Sequence, residues 1–323
     1  KSIEAVAKFE EVYYVFFMDG VGDDARVFAT KEGKSGDTVT TDVTLPLGST
    51  KAVTGWYKDQ GLTDGPVSGP YTIATANQTL WPKIEEGNYL YFASGEKGTY
   101  IKPQFIVPGG TTQEPIAPTR PGYTFSHWSE TQGGSAYTFG QTITENKTLH
   151  AVWDANAVNY TINYWIENAD DTDYSYEGKR VETGLSGTDI VLTSEQRSTN
   201  NIDANYREHF TFKEYDQGKQ IAGDGSTIVN VYFSRKTYDL KFYARYPNPW
   251  SSYQLRHTIT AKYGADIKDE FPIPGYPGRA WECTAPLVFP YALQTLDRMP
   301  GKNLRFNLYQ KSSNTLKTIY YYV

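Results

Sequence analysis

The side chains able to do chemistry are few and scattered. Four histidines, His127, His150, His209 and His257, lie far apart, and no two stand at a metal-ligand spacing. One cysteine, Cys283, rules out an intrachain disulfide and a Cys-based metal cage. Asp170, Asp171 and Asp173 form a tight acidic group, and carboxylates at short spacing suit calcium. That group lacks the Gly and distal Glu of an EF-hand and precedes Tyr174-Ser175-Tyr176, so a hairpin loop is expected there. There is no Gly-x-Ser-x-Gly elbow, no phosphate-binding Gly-rich loop with Lys and Ser or Thr, and no His-Glu-x-x-His. The reading is a chain with no catalytic, cofactor-binding or metal-binding residue and no cofactor: not an enzyme. Seven Trp remain, each able to stack on a sugar ring or to fill a core.

The elements that would position such residues are strands. Aromatics make up 15% of the chain, with 27 Tyr against 2 Met, and turn-forming Gly and Pro are spread along its whole length, a mix that favours pleated, half-buried strands. The formal charge of -6, with no Lys or Arg run longer than two, argues against binding by phosphate neutralisation, so no nucleic-acid partner is expected. No apolar stretch reaches the roughly 18 residues that cross a bilayer, and nothing resembling a signal peptide precedes Lys1; the sequence reads as a piece of a longer protein. Leu45-Pro46-Leu47-Gly48 resembles part of a sortase signal but lacks its Thr-Gly ending, and is read as a loop.

Strand-like runs recur at residues 12–17 (VYYVFF), 89–92 (YLYF), 160–166 (YTINYWI), 238–244 (YDLKFYA) and 318–323 (TIYYYV). Between the second and third lies a denser pattern, Arg120-Pro121-Gly122-Tyr123-Thr124-Phe125-Ser126-His127-Trp128, closed by Leu149-His150-Ala151-Val152-Trp153. The interval from Trp56 to Trp81 equals that from Trp128 to Trp153, and Gly275-Tyr276 stand before Trp281 as Gly122-Tyr123 stand before Trp128. The third period offers Tyr206, Phe210 and Phe212 instead, then Asp224-Gly225, the chemistry of a type I′ hairpin, before a closing strand at 229–233. Trp56, Trp81, Gly122, Tyr123, Trp128, Trp153, Gly275, Tyr276 and Trp281 are thus repeat landmarks, and their rings are expected in the cores of small modules. Modules are placed at 1–86, 87–154, 155–236 and 237–313, with 314–323 opening a further, truncated one. Their short joints predict an elongated rod.

Residues 118–128, Tyr137, Phe139, Ile143 and Thr144, with the ending Lys147-Thr148-Leu149-His150-Ala151-Val152-Trp153, closely resemble the Listeria-Bacteroides repeat, the internalin B-type B-repeat. That family usually has Gly where His127 stands and Tyr where His150 stands. Residues 159–171 and 223–233 are similar to modules of Gram-positive surface proteins reminiscent of mucin-binding repeats. The resemblance covers about residues 103–236, is weaker in the fourth module and weakest in the first. It implies small β-grasp-like modules, mainly β overall and α+β at module level, in an extracellular setting within adhesins or invasins. It carries over no ligand and no catalytic residue.

The expected function is therefore a non-catalytic extracellular repeat region of a cell-surface adhesin, anchored to the cell wall through regions outside this sequence. It would act as a stalk, as a low-affinity multivalent contact surface, or as both. Alternatives are a glycan- or mucin-binding module set and an accessory region of a secreted glycosidase or peptidase. A protein or glycan on a host or neighbouring cell would be the partner, met by the loops at 61–70, 132–136 and 168–176. Stability without disulfides leaves room for Lys–Asn or Lys–Asp isopeptide cross-links. A tandem array should have a radius of gyration clearly above the roughly 20 Å of a compact chain of this length, which solution scattering measures directly.

Overall fold

The computed structural model describes residues 10–245, 250–274, 279–285 and 296–310. Strands form where aromatic and β-branched residues alternate with polar ones. In the run AVNYTINYWIE, Tyr160, Ile162, Tyr164 and Ile166 are buried while their neighbours stay partly exposed, the period of two that a strand imposes.

Four four-stranded sheets follow one another. The first comprises β1 (Tyr13–Met18), β2 (Val27–Gly33), β4 (Lys51–Tyr57) and β6 (Gln78–Glu86), accompanied by the short pair β3 (Thr38–Val39) and β5 (Tyr71–Thr72). The second comprises β7 (Asn88–Ala93), β8 (Gln104–Ile106), β9 (Tyr123–Ser129) and β10 (Lys147–Ala155). The third comprises β11 (Ala157–Glu167), β12 (Tyr174–Leu185), β13 (Phe210–Tyr215) and β14 (Ile228–Arg235). The fourth comprises β15 (Thr237–Ala244), β16 (Gln254–Lys262), β17 (Arg279–Ala285) and β18 (Leu304–Gln310). The strand order is the same throughout: β2-β1-β6-β4, β8-β7-β10-β9, β12-β11-β14-β13 and β16-β15-β18-β17. The chain enters each sheet by one central strand and leaves by the other, and these two run parallel. The chain divides into two compact units, residues 1–154 and 155–323, each containing two sheets.

The fold is mainly β as expected, but among the described residues the helical component expected within modules is reduced to single turns. Among the described residues the helical elements are three-residue 3₁₀ turns at Thr199–Asn201, Arg207–His209 and Lys268–Glu270. A parallel central pair still requires the chain to cross the sheet. Here extended loops cross, bringing Leu45 to the first core, Ile190, Leu192 and Ile202 to the third, and Ile267 and Phe271 to the fourth. In the second sheet the reason is legible in residues 107–122, where Pro108, Pro115, Pro118 and Pro121 remove the amides a helix needs.

Each core covers one sheet face, and three share one contact. A Trp from the strand beside the exit strand meets edge-on a Phe of the entry strand, with centroids 5.0 Å apart for Trp56 and Phe17, 5.0 Å for Trp128 and Phe92, and 5.1 Å for Trp281 and Phe242. In the third sheet Tyr164 stacks on Phe233 at 6.2 Å and donates its hydroxyl to the Gln196 carbonyl at 3.1 Å. Burial raises its phenol to about 12, so it stays a neutral donor.

Two landmarks depart from the expected core. Leu80 pairs with Phe17 as Leu149 pairs with Phe92, so these leucines are the equivalent residues. Trp81 follows Leu80 directly and lies half-buried on the opposite side of the sheet, whereas Trp153 follows Leu149 by an even step and lies half-buried against Phe125. Equal intervals between Trp residues therefore do not mean equal positions. The Asp224-Gly225 turn also differs. The Gly225 amide bonds the Ala222 carbonyl at 3.0 Å and positive φ belongs to Gly225 alone, whereas a type I′ turn needs it at both central residues. Of the third-period substitutes, Phe210 is buried, Tyr206 packs against it, and Phe212 is exposed. Gly275, Tyr276 and the strand expected at 318–323 lie outside the described residues.

Single residues separate consecutive sheets: Gly87, Asn156 and Lys236. A Cβ on Gly87 would come within 2.4 Å of the Ile106 carbonyl, so any side chain there would force the backbone to shift. At the joint between the third and fourth sheets, the Lys236 amide bonds the His209 carbonyl at 2.8 Å and the Lys236 carbonyl accepts the Tyr263 amide at 2.9 Å. The His209 ring lies 4.0 Å from that of Tyr263 and bonds the Tyr238 hydroxyl at 3.0 Å. Glu167 accepts the Arg235 amide at 2.8 Å and the Lys262 ammonium at 2.9 Å, while Asp170 accepts the Asp266 amide and Arg298, both at 2.8 Å.

Partial burial opposes ionisation of Glu167, but Lys262 and the Arg235 amide hold its carboxyl below the ordinary range; the Asp266 amide, then Arg298, do the same for Asp170. Depressed carboxyls stabilise the joint above their ordinary pKa and lose that contribution as pH falls through the folded values. Amide exchange at Tyr263 and Asp266, corrected for intrinsic rate, should therefore rise on acidification before the sheet interiors open, and Arg298→Ala should weaken that response at Asp266. Truncation of the shared ring contact tests the core: Trp128→Ala should cost the second sheet about 3 to 5 kcal/mol. Hydrogen exchange should show lost protection across residues 120–153 and an unchanged fourth sheet.

Candidate functional site

Because side chains alternate along a strand, a sheet whose core covers one face must present its other set elsewhere. On the face away from the core the entry strands carry aromatic rings. Tyr14 and Phe16 stack at 6.1 Å on β1; Tyr89 and Tyr91 stack at 5.5 Å on β7, with Phe105 4.9 Å from Tyr89 and Tyr91 37% exposed. On β15 the Arg305 guanidinium lies 4.0 Å from the Tyr243 ring.

The third sheet develops this face furthest. Trp165 is the register partner of Tyr176 on one side and Tyr232 on the other, making an aromatic row across β12, β11 and β14. Tyr176 packs edge-on to Trp165 at 5.5 Å and is 51% exposed; Tyr174 packs against Tyr232 at 5.0 Å. The Trp165 indole donates to Asn230 Oδ1 at 2.8 Å, and Asn230 Nδ2 donates to Asp216 Oδ2 at 2.8 Å. Charges along β13 and the loop after it pair among themselves, Lys213 with Glu214 at 3.4 Å and Lys219 with Asp216 at 2.9 Å. Burial raises the Tyr89 and Tyr232 phenols, which keeps them neutral donors. The face offers flat rings, amides and hydroxyls, the equipment of contact.

The acidic trio does form the turn of the β11–β12 hairpin. Asp171 Oδ1 accepts the Asp173 amide at 2.8 Å, and Asp170 belongs to the joint. His209 belongs to that joint too, His257 is exposed on β16, and His150 is half-buried on β10. His127 Nε2 lies 2.9 Å from the Gly134 carbonyl, so this departure from the usual Gly ties down the loop after β9. Arg120-Pro121-Gly122-Tyr123 forms a turn closed at 3.1 Å by the Tyr123 amide, with Pro at the second position and Gly122 at φ 75° at the third; the Arg120 guanidinium lies 4.0 Å from the Tyr123 ring. Among the described residues no group of three or more His, Cys, Asp or Glu could hold a metal ion, no helix is long and apolar enough to cross a membrane, and no lysine is buried.

Of the loops expected to meet a partner, the one at 61–70 is braced by its own hydrogen bonds while most of its residues stay exposed. Asp59 accepts the Thr63 amide at 2.9 Å and the Asp64 amide at 2.6 Å, and the Val67 amide bonds the Trp56 carbonyl at 2.8 Å. Sequence reading missed the outer aromatic rows, although runs such as YYVFF hold rings at both parities and cannot point all of them into one core.

A protein of Evansella cellulosilytica carrying the name "Putative membrane protein" is 28% identical to this chain over 167 residues. The match covers 51% of the chain and 24% of that relative, so the chain spans about a quarter of its length. Residues 90–152, from β7 through the Arg120-to-Trp128 motif into β10, match the Listeria-Bacteroides repeat domain, and the chain contains a repeat of that family.

Proposed function

We propose that this chain is a non-catalytic, extracellular repeat region of a bacterial surface protein, holding its partners at a distance and contributing weak, multivalent contacts through the outer faces of its sheets. The observation that carries this reading is the division of aromatic rings. Trp56, Trp128 and Trp281 fill cores, while Tyr89, Tyr91, Trp165 and Tyr176 stand on the opposite faces beside hydroxyls and amides. The repeat match at 90–152 supports a surface setting. Cell-wall anchoring would come from parts of the protein beyond this sequence.

A glycan or mucin ligand is a second reading, favoured by the row Tyr176, Trp165 and Tyr232 with Asn230 alongside. Flat rings stack on the apolar faces of sugars while amides bond their hydroxyls, and paired-off rim charges suit a neutral ligand. Single faces of this kind bind weakly, and dense presentation raises attachment by about 10² to 10⁴. The chain displayed densely on beads should capture mucin or a neutral glycan far better than the soluble monomer does. Trp165→Ala with Tyr176→Ala should lower capture and leave the fold intact by circular dichroism. Equal capture by the variant removes the outer face as the contact surface; no capture in either format reduces the function to spacing, and turnover of a glycan or peptide by the pure chain overturns both.

A further inference from the structure

A chain that holds something away from a surface is pulled at its ends, and the topology fixes how each sheet receives that pull. The entry and exit strands are parallel neighbours at the sheet centre. Tension along the chain draws the entry strand backward and the exit strand forward, along their common axis. Bonds between the two strands lie across that direction and are loaded together, whereas strands drawn apart from one end break them in succession. The overlap differs between sheets: residues 15–17 against 78–80 in the first, 90–93 against 147–150 in the second, 161–166 against 228–233 in the third, and 240–243 against 304–307 in the fourth.

We propose that each sheet is a tension-bearing clasp closed by its central parallel pair, and that the third is the strongest of the four. In that sheet the overlap is longest, and Ile162, Tyr164, Ile166, Val229, Val231 and Phe233 all enter one core, so sliding the pair also drags six apolar side chains out of their packing. Resistance to forced opening is a matter of unfolding rate, so it depends on this geometry and not on total stability alone. The biological use of such a clasp rests on the reading of the chain as a surface spacer; the mechanical property does not.

The experiment holds the full chain in optical tweezers in two geometries, both in a Cys283→Ala background. In one, handles sit at the two chain ends. In the other, one handle is moved to Thr172→Cys, in the exposed hairpin between β11 and β12, and the second stays at the C-terminal end. The second geometry draws β11 and β14 by the same end and peels them apart, while the fourth sheet stays in line as before. With end handles the third sheet should open last, at a force several-fold above its opening force with the Thr172 handle, and the fourth sheet should open at one force in both. Opening of the third sheet at equal force in the two geometries, or before the first sheet under end handles, overturns the proposal. A chain that passes this test yet captures nothing on dense beads would sink the contact reading alone.

Discussion

Everything in this chain follows from putting two parallel strands side by side in the middle of a small sheet. A hairpin cannot make that pair, so the chain must leave the sheet after its second strand, cross one face and return on the far edge. Among the described residues no α-helix does the crossing; a largely polar loop crosses instead and contributes only a few apolar side chains. The edge-on ring contact of Trp56, Trp128 and Trp281 with Phe17, Phe92 and Phe242 completes three of the cores: it reaches from beside the exit strand to the entry strand and ties the far edge to the centre. The third sheet reaches a comparable closure with the buried hydroxyl of Tyr164.

The same constraint explains which parts of the molecule the amino-acid order revealed. Entry strands such as YYVFF and YLYF announce themselves because a half-buried strand is written in its own residues, and the Arg120-Pro121-Gly122-Tyr123 turn is legible because Pro and Gly carry its dihedral angles. Trp81 misled because an interval counts loop residues as well as strand residues, while equivalence is set by register, which pairs Leu80 and not Trp81 with Phe17. Asp170 and His209 were beyond reach for another reason: each finds its partners, Asp266 and Arg298 or Tyr238 and Tyr263, in the following sheet, and nothing local marks such distant neighbours.

One face of each sheet is committed to packing, and its residues are restricted to shapes that fill a small volume. The outer face carries no such obligation. That freedom shows in its differences: stacked Tyr pairs on β7, a guanidinium over Tyr243 on β15, an aromatic row with amides on β11 and its neighbours. A shared scaffold with unlike outer surfaces lets the rings that fill the cores stay alike from sheet to sheet while those facing outward change, and a reading that assigns every ring to the core misses that division.

The single residues at Gly87, Asn156 and Lys236 also bear on how such a chain can grow. With entry and exit strands parallel and neighbouring, each copy takes up the chain heading one way along its sheet and releases it heading the same way, so a duplicated stretch begins and ends in equivalent settings. A cut at these points severs no sheet, and inserting a whole copy leaves every ladder intact, whereas a cut within a central strand breaks two. Recombination that respects these joints changes the number of copies without touching any core, and reach becomes a trait that varies by whole steps.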